Sequence, residues 1–490
     1  MTRQPTINPL ELDWSTLNCE TPAWFRDAKF GLFFHWGPYT VPACDNEWYS
    51  RNMYARGLPQ NVHHVQRYGK LSEFGYKDFF DSFTGERFDP GEWADLIVRS
   101  GARYAGPVTE HADNFSMWAS TVNPVNSVNY GPHRDVVGEL RLAIVERGLK
   151  FAATFHHQWL WGWFMSSDAN ADVYDPANEP FYGPALPLET NRYIPWRLPD
   201  ERFNETWLQK VVEVLDRYDP DLVYFDSRTC IIDEHHRRRM VEHCRKGPTG
   251  RADRVISYKQ NDLPDEVGIL DVECGRFDER MDFAWQTDDR LEARRTWCYV
   301  DEPHYKSATT IIHQLCDVVS KNGNLLLNVG PRVDGTFADE AVATLHDVGA
   351  WLQTHGEAIY GTRPFAVHGE GGADSGVAGF GTEGIEAQTR KGDAETLEGR
   401  DLDPDEVRFT TAGDAIYVIV PVSRKATRVR LASLGRREGA LERQVARVEV
   451  IGDGPTPEYD HDARALAVEW RGALPSSHAN VLRVTLKGQR

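Results

Sequence analysis

The chain has 490 residues, too many for one ordinary domain, and its 41% hydrophobic and 26% charged content excludes the disordered and fibrous classes. With 55 lysines and arginines against 74 acids the net charge is −19. That field repels phosphate backbones and anionic lipid, so neither nucleic acid nor a membrane surface is an expected partner.

In chain order, short apolar runs that close on a polar residue predict eight strands across the first two thirds of the sequence. Phe30 to Phe34 closes on His35, Tyr104 to Val108 leads to Glu110 and His111, and Phe151 to Phe155 closes on His156. Leu222 to Phe225 closes on Asp226, Val255 to Tyr258 on Lys259, and Ile269 to Val272 on Glu273. Trp297 to Val300 is the seventh predicted strand, and Leu325 to Leu327, closing on Asn328, is the eighth. Helical segments are predicted from the Asp135 cap to Glu146, from Asn204 to Tyr218, from Thr309 to Lys321 and from Asp339 to Gln353. This alternation predicts an α/β fold with parallel strands, an irregular (β/α)8-like barrel, because the gap from Lys259 to Ile269 is too short for a helix. A doubly wound open sheet is the rival, but no glycine-rich phosphate loop follows any strand.

Beyond Pro364-Phe365 the texture changes. Gly369 to Gly379 is glycine-rich, and alternating runs follow at Ala415 to Val420, Arg447 to Ile451 and Val481 to Thr485. These predict a small C-terminal antiparallel β-sandwich, giving an expected division into a barrel over 1–365 and a sandwich over 366–490. The seven cysteines (positions 19, 44, 230, 244, 274, 298 and 316) are odd in number and never form Cys-x-x-Cys, so reduced thiols are expected. No apolar stretch is long enough to span a membrane, and Met1 to Asp13 has no hydrophobic signal core, so the expected location is cytoplasmic.

In a barrel, chemistry sits at the carboxyl ends of the strands. Asp226 reads either as an acid at that mouth or as a cap for the next helix or a partner of Arg228. Glu273 reads either as a second mouth acid or as an ion-pair partner of Arg276 or Arg280. Two carboxyls across one mouth are what glycoside hydrolysis requires. His35, followed by Trp36-Gly37 and the loop containing Glu47 and Trp48, reads as structural or as part of a sugar-binding group in which polar edges meet hydroxyls and rings cover the apolar face. The pairs His63-His64 and His156-His157, and the run from Glu110 to Asp113, contain ligand-type residues. None has the spacing of a compact metal site, and no metal or organic cofactor is expected.

The motifs resemble glycoside hydrolase family 29, the α-L-fucosidases, over most of the first 365 residues. The run from Trp24 to Gly37 (WFRDAKFGLFFHWG), with Val41-Pro42-Ala43 and Glu47-Trp48-Tyr49, is similar to that family's opening signature. Further matches are GPHRD at 131–135, YDPDLVYFD at 218–226, KNGNLLLNVGP at 321–331 and GEAIYG at 356–361. The resemblance implies a retaining exo-glycosidase for terminal α-L-fucosyl residues, with Asp226 as nucleophile and no cofactor. It implies that His35, Glu47, Trp48 and His111 grip the sugar and that Trp297 lies near its methyl group; His156, at the third strand end, joins this set. Glu273 is the favoured acid/base because it closes a strand, with Glu279 in reserve. Where the family shows Lys-His-His-Asp-Gly-Phe, this chain reads Glu110-His111-Ala112-Asp113-Asn114-Phe115, losing a lysine and an imidazole. A related α-L-galactosidase-like activity, or a fucose-binding pseudoenzyme, are the alternatives. The expected partner is a fucosylated oligosaccharide or glycoside.

Overall fold

Strand β1 (Phe30–Phe34) is buried at every position, which is what a strand needs when one face meets a barrel lumen and the other a layer of helices. The same holds for β2 (Tyr104–Glu110), β4 (Leu222–Phe225), β5 (Val255–Lys259) and β8 (Gly323–Asn328). With β3 (Lys150–Phe155), β6 (Ile269–Asp271) and β7 (Trp285–Arg290) they form a closed parallel barrel in sequential order. The computed structural model describes residues 14–186, 198–371, 401–403, 405–422, 427–436 and 443–487. The predicted signal-free run Met1 to Asp13 and the part of the glycine-rich run from 372 onward lie outside them.

Alternation sorts the side chains. Phe33, Tyr104, Val108, Ala152, Leu222, Tyr224, Val255, Ile269 and Leu326 form one apolar cluster inside the barrel. Leu32, Phe34, Phe151, Phe155, Phe225, Ile256, Leu325 and Leu327 belong to the larger core shared with the outer helices. Gly31 is required by this packing, since a Cβ there would lie 2.5 Å from the Tyr104 ring. The barrel closes where β1 pairs with β8, Phe30 opposite Leu325 and Phe33 opposite Asn328.

Two predicted elements are corrected. The seventh strand is Trp285–Arg290, and Trp297 to Val300 lies in the loop that follows it. β7 escapes an apolar-run search because its lumen-side positions, Gln286 and Asp288, are polar and are met by the Tyr104 and Tyr224 hydroxyls of other strands. The helix expected to start at Asn204 spans Glu201–Tyr218, capped by Asp200, which accepts from the Phe203 N–H at 2.8 Å. As expected, β5 and β6 are joined by only a single 3₁₀ turn, Asp265–Val267.

The C-terminal strands are β9 (Arg363–Glu370), β10 (Val407–Ala412), β11 (Ala415–Pro421), β12 (Arg428–Leu431), β13 (Val445–Val450), β14 (Glu458–His461), β15 (Leu466–Glu469) and β16 (Ala479–Leu486). They form two antiparallel sheets, β13-β16-β11-β10-β9 and β12-β15-β14. Phe409, Ile416, Val418 and Leu482 of the first pack on Leu431, Leu466 and Val468 of the second, the expected sandwich. The sandwich docks on the helices Ala308–Ser320 and Asp339–His355, where the Trp351 indole donates to the Ala479 carbonyl at 2.7 Å. No described helix is long and apolar enough to cross a membrane.

Candidate active site

Because the barrel is parallel, all eight strands deliver their last residues to one mouth. His35, His111 and His156 follow β1, β2 and β3; Asp226 follows β4; Lys259 ends β5; Glu273 lies just past β6; Asp288 sits on β7; and Asn328 ends β8.

Lys259 is the centre of the charged half. Its ammonium lies 2.9 Å from Asp226 Oδ1, 2.9 Å from Glu273 Oε2 and 3.1 Å from Asp288 Oδ2. Burial alone would favour the neutral amine, but these three carboxylates outweigh it and hold the Lys259 pKa well above its ordinary value. The facing oxygens of Asp226 and Glu273, each 2.9 Å from one nitrogen, stand no more than twice that distance apart. Both side chains keep some exposure, 16% and 17%, whereas Asp288 keeps 3%. Each arginine that the sequence offered as an alternative partner has a contact elsewhere. Arg228 lies over the Trp159 ring, Arg276 pairs with Asp317, and Arg280 pairs with Asp282.

Three imidazoles form the other half. His35 is fixed by Asn328, whose Oδ1 lies 2.8 Å from its Nδ1 and accepts its backbone N–H at 3.1 Å. His111 and His156 stack with centroids 4.9 Å apart, and His156 lies 5.1 Å from His35. Burial, then the neighbouring imidazoles, push His111 and His156 well below the ordinary histidine range, and burial brings His35 down to about 4. All three are therefore neutral at pH 7, each able to donate to or accept from a hydroxyl. Ligating atoms of the three lie within 4.8 Å of one another, a spacing that a divalent cation could bridge. Lys259 and the carboxylates Asp226 and Glu273 act on these imidazoles in opposite senses.

Glu47 accepts the Trp297 N–H at 2.9 Å, and Asn328 donates to the Trp297 carbonyl at 2.5 Å. This fixes the Trp297 ring against Phe33 and 5.4 Å from His35, with Lys259 and Arg290 over its face. Burial, only partly offset by the Trp297 N–H and Arg290, raises Glu47 to about 7. Trp48 packs with Trp159 and Trp163 on the adjoining rim. Aromatic rings, neutral imidazoles and two carboxyls gathered at one barrel mouth are the side-chain types that can hold a polyol and act on a glycosidic bond.

Other predicted features lie elsewhere. Glu279 is 83% exposed and pairs with His368 of β9. His63 and His64 bond Tyr49 and the Phe74 carbonyl, and His157 meets the Trp207 carbonyl. Ala112 is buried in the hydrophobic core, so the third imidazole of the pocket comes from β3. Lys259 was legible, since it closes a predicted strand as Asp226 does; Asp288 was hidden with the strand that carries it.

Comparison with known proteins gives the family. Residues 2–357 match the alpha-L-fucosidase family. The chain belongs to that family. It is a glycoside hydrolase, 32% identical over 378 residues to human tissue alpha-L-fucosidase and 31% over 381 to the bovine enzyme, covering 73% of each and of itself. The crystal structure of Thermotoga maritima alpha-fucosidase in complex with fucose superposes with a TM-score of 0.72 at 26% identity, over 96% of this chain and 99% of that one. In this alpha-L-fucosidase family member, Glu110 is buried and paired with Lys210, and Ala112 is buried.

Proposed function

We propose that the protein hydrolyses terminal α-L-fucosyl residues with retention, Asp226 acting as nucleophile and Glu273 as acid/base. The observation that carries this reading is the separation of the two carboxyls, which share one ammonium. Their facing oxygens are closer than the roughly 6.5–9.5 Å that an inverting enzyme leaves for its water. Asp226 attacks C1 as Glu273 gives its proton to the leaving oxygen; Glu273 then takes a proton from water, which attacks C1 and frees Asp226. Lys259, 2.9 Å from Asp226 Oδ1, holds that carboxyl in place. His35, His111, His156 and Glu47 bind ring hydroxyls, while Trp297 and Trp48 cover apolar edges. None of these steps calls for a cofactor. The substrate is a fucosylated oligosaccharide or glycoside, and the seven unpaired cysteines fit the reducing cytoplasm. The altered run at Ala112 keeps α-L-galactoside as a second substrate to assay, whereas an intact carboxyl pair argues against a pseudoenzyme.

Asp226→Gly tests the mechanism. Activity on an activated aryl α-L-fucoside should fall by several orders of magnitude, and azide should restore turnover as β-fucosyl azide. Wild type should release the α-anomer first in proton NMR. First release of the β-anomer, or an Asp226→Gly variant active without azide, would overturn the assignment.

A further inference from the structure

Strand β7 brings to the mouth a side chain that the reaction above does not use. Gln286 and Asp288 face the barrel lumen, so the alternation of the strand aims Arg290, its last residue, the same way and one layer higher. The register agrees, since Arg290 is paired with Asn328 of β8, the residue that bonds the His35 ring. The guanidinium carbon lies 5.5 Å from the centroid of the Trp297 ring, which is itself 5.4 Å from the His35 ring and 5.9 Å from the Lys259 ammonium.

This guanidinium is charged but unmet. It makes no hydrogen bond or ion pair with the described residues, and its Nε is buried with no acceptor. Neighbouring acids are engaged with other donors: Asp289 accepts the Arg290 backbone N–H at 2.7 Å and the Lys306 ammonium at 2.6 Å, and Glu47 accepts the Trp297 N–H. Burial disfavours the charge, while Cys274, Asp289, Glu273 and Glu47 favour it and outweigh burial. The fork therefore lacks acceptor atoms rather than opposite charge, and an uncharged group rich in oxygen supplies them.

We propose that Arg290 is a specificity-determining residue for the leaving group, its guanidinium donating to hydroxyls of the sugar to which the fucosyl unit is attached. The inference rests on Glu273 as acid/base. Glu273 lies just past β6 and gives its proton to the leaving oxygen, so the end of the adjacent strand β7 borders the leaving group.

Methyl α-L-fucoside and a fucosyl disaccharide test this. Both release an alcohol and so call on acid catalysis alike, whereas only the disaccharide offers hydroxyls beyond the scissile bond. Wild type should favour the best cleaved of a panel of fucosyl disaccharides of differing linkage over methyl α-L-fucoside in kcat/KM. In Arg290→Met that preference should fall by about tenfold to a hundredfold, the worth of hydrogen bonds from a charged donor, and Arg290→Lys should keep part of it. A wild type without the preference, or an Arg290→Met variant that loses both substrates equally, overturns the proposal; equal loss with a lowered melting temperature is what a merely structural role gives. Failure of the underlying reading looks different. Wild type would then cleave neither fucoside, or Glu273→Gln would harm nitrophenyl and methyl α-L-fucoside equally, and either result removes the placement of the leaving group and the proposal with it.

Discussion

Glu47 combines two tasks that pull against each other: its carboxylate receives the Trp297 N–H, yet it is almost wholly removed from water. Burial raises its pKa to about 7 from an unfolded value near 4.5. A raised acid favours the fold fully below the unfolded value and loses that contribution as pH rises through the folded one. The wild-type fold should therefore lose up to about 3 kcal/mol from this group between about pH 4.5 and 7, and Glu47→Gln should flatten that part of a melting-temperature profile. The same change should cost roughly tenfold to a hundredfold in kcat/KM, as expected for losing a charged hydrogen bond to a hydroxyl. If the melting profile keeps its slope, another acid is responsible. At this scale the sequence was readable wherever a strand ended on a polar residue, as at His35, His111, His156 and Asp226. It was silent on which partner each would meet. Asp226 and Arg228 are two apart in the chain, but the ammonium that holds Asp226 arrives from the neighbouring strand.

The helix Glu201–Tyr218 shows how an element compensates for a motif change. Glu110, which departs from the resembled Lys-His-His-Asp-Gly-Phe run, is fully buried and is met by Lys210 of this helix at 2.5 Å. Ser116 donates to its other oxygen, and Asn114 accepts from Lys210 at 2.9 Å. Removing one member of such a pair strands the other, so Lys210→Met should destabilise by about 3–5 kcal/mol. The double variant Lys210→Met with Glu110→Gln should lose less than the sum of the singles, measured by urea midpoint; strict additivity would show that the pair is uncoupled. Because His111 is the next residue, kcat/KM should fall with stability. Elements were legible in proportion to how local their cause is. β4 was readable end to end because both its faces are apolar. β7 was not, since Gln286 and Asp288 become good lumen residues only once Tyr104 and Tyr224 have been brought opposite them. The start of the Glu201–Tyr218 helix was misplaced because two capping residues compete. Asp200 takes the cap, while Asn204 turns its amide back to the Pro199 and Asp200 carbonyls.

On the scale of the whole molecule, barrel and sandwich are joined by a buried ionic cluster. Asp317 of the Ala308–Ser320 helix takes Arg408 of β10 at 2.7 Å, Lys321 at 3.0 Å and Arg276 at 3.4 Å. Although burial opposes ionisation, the three cations hold Asp317 far below the ordinary carboxylate range. A depressed acid contributes its stability above the unfolded pKa and loses it as pH falls toward the folded one. Asp317→Asn should therefore lower the melting temperature at neutral pH by an amount equivalent to about 3–5 kcal/mol, and the gap to wild type should narrow below about pH 4. A gap that is constant with pH would count against the ionic account. No sequence pattern announces this cluster, whose members come from a loop, a helix and a strand of the sandwich. The barrel seam carries a different consequence. His35 and Asn328 are 293 positions apart and bonded to each other at the pocket wall. A chain growing from the ribosome thus makes every carboxylate of the site before the strand that locks the first imidazole exists. Nascent chains released short of Asn328 carry the whole acid pair and no finished sugar pocket, so hydrolysis begins only after nearly the entire barrel has been translated.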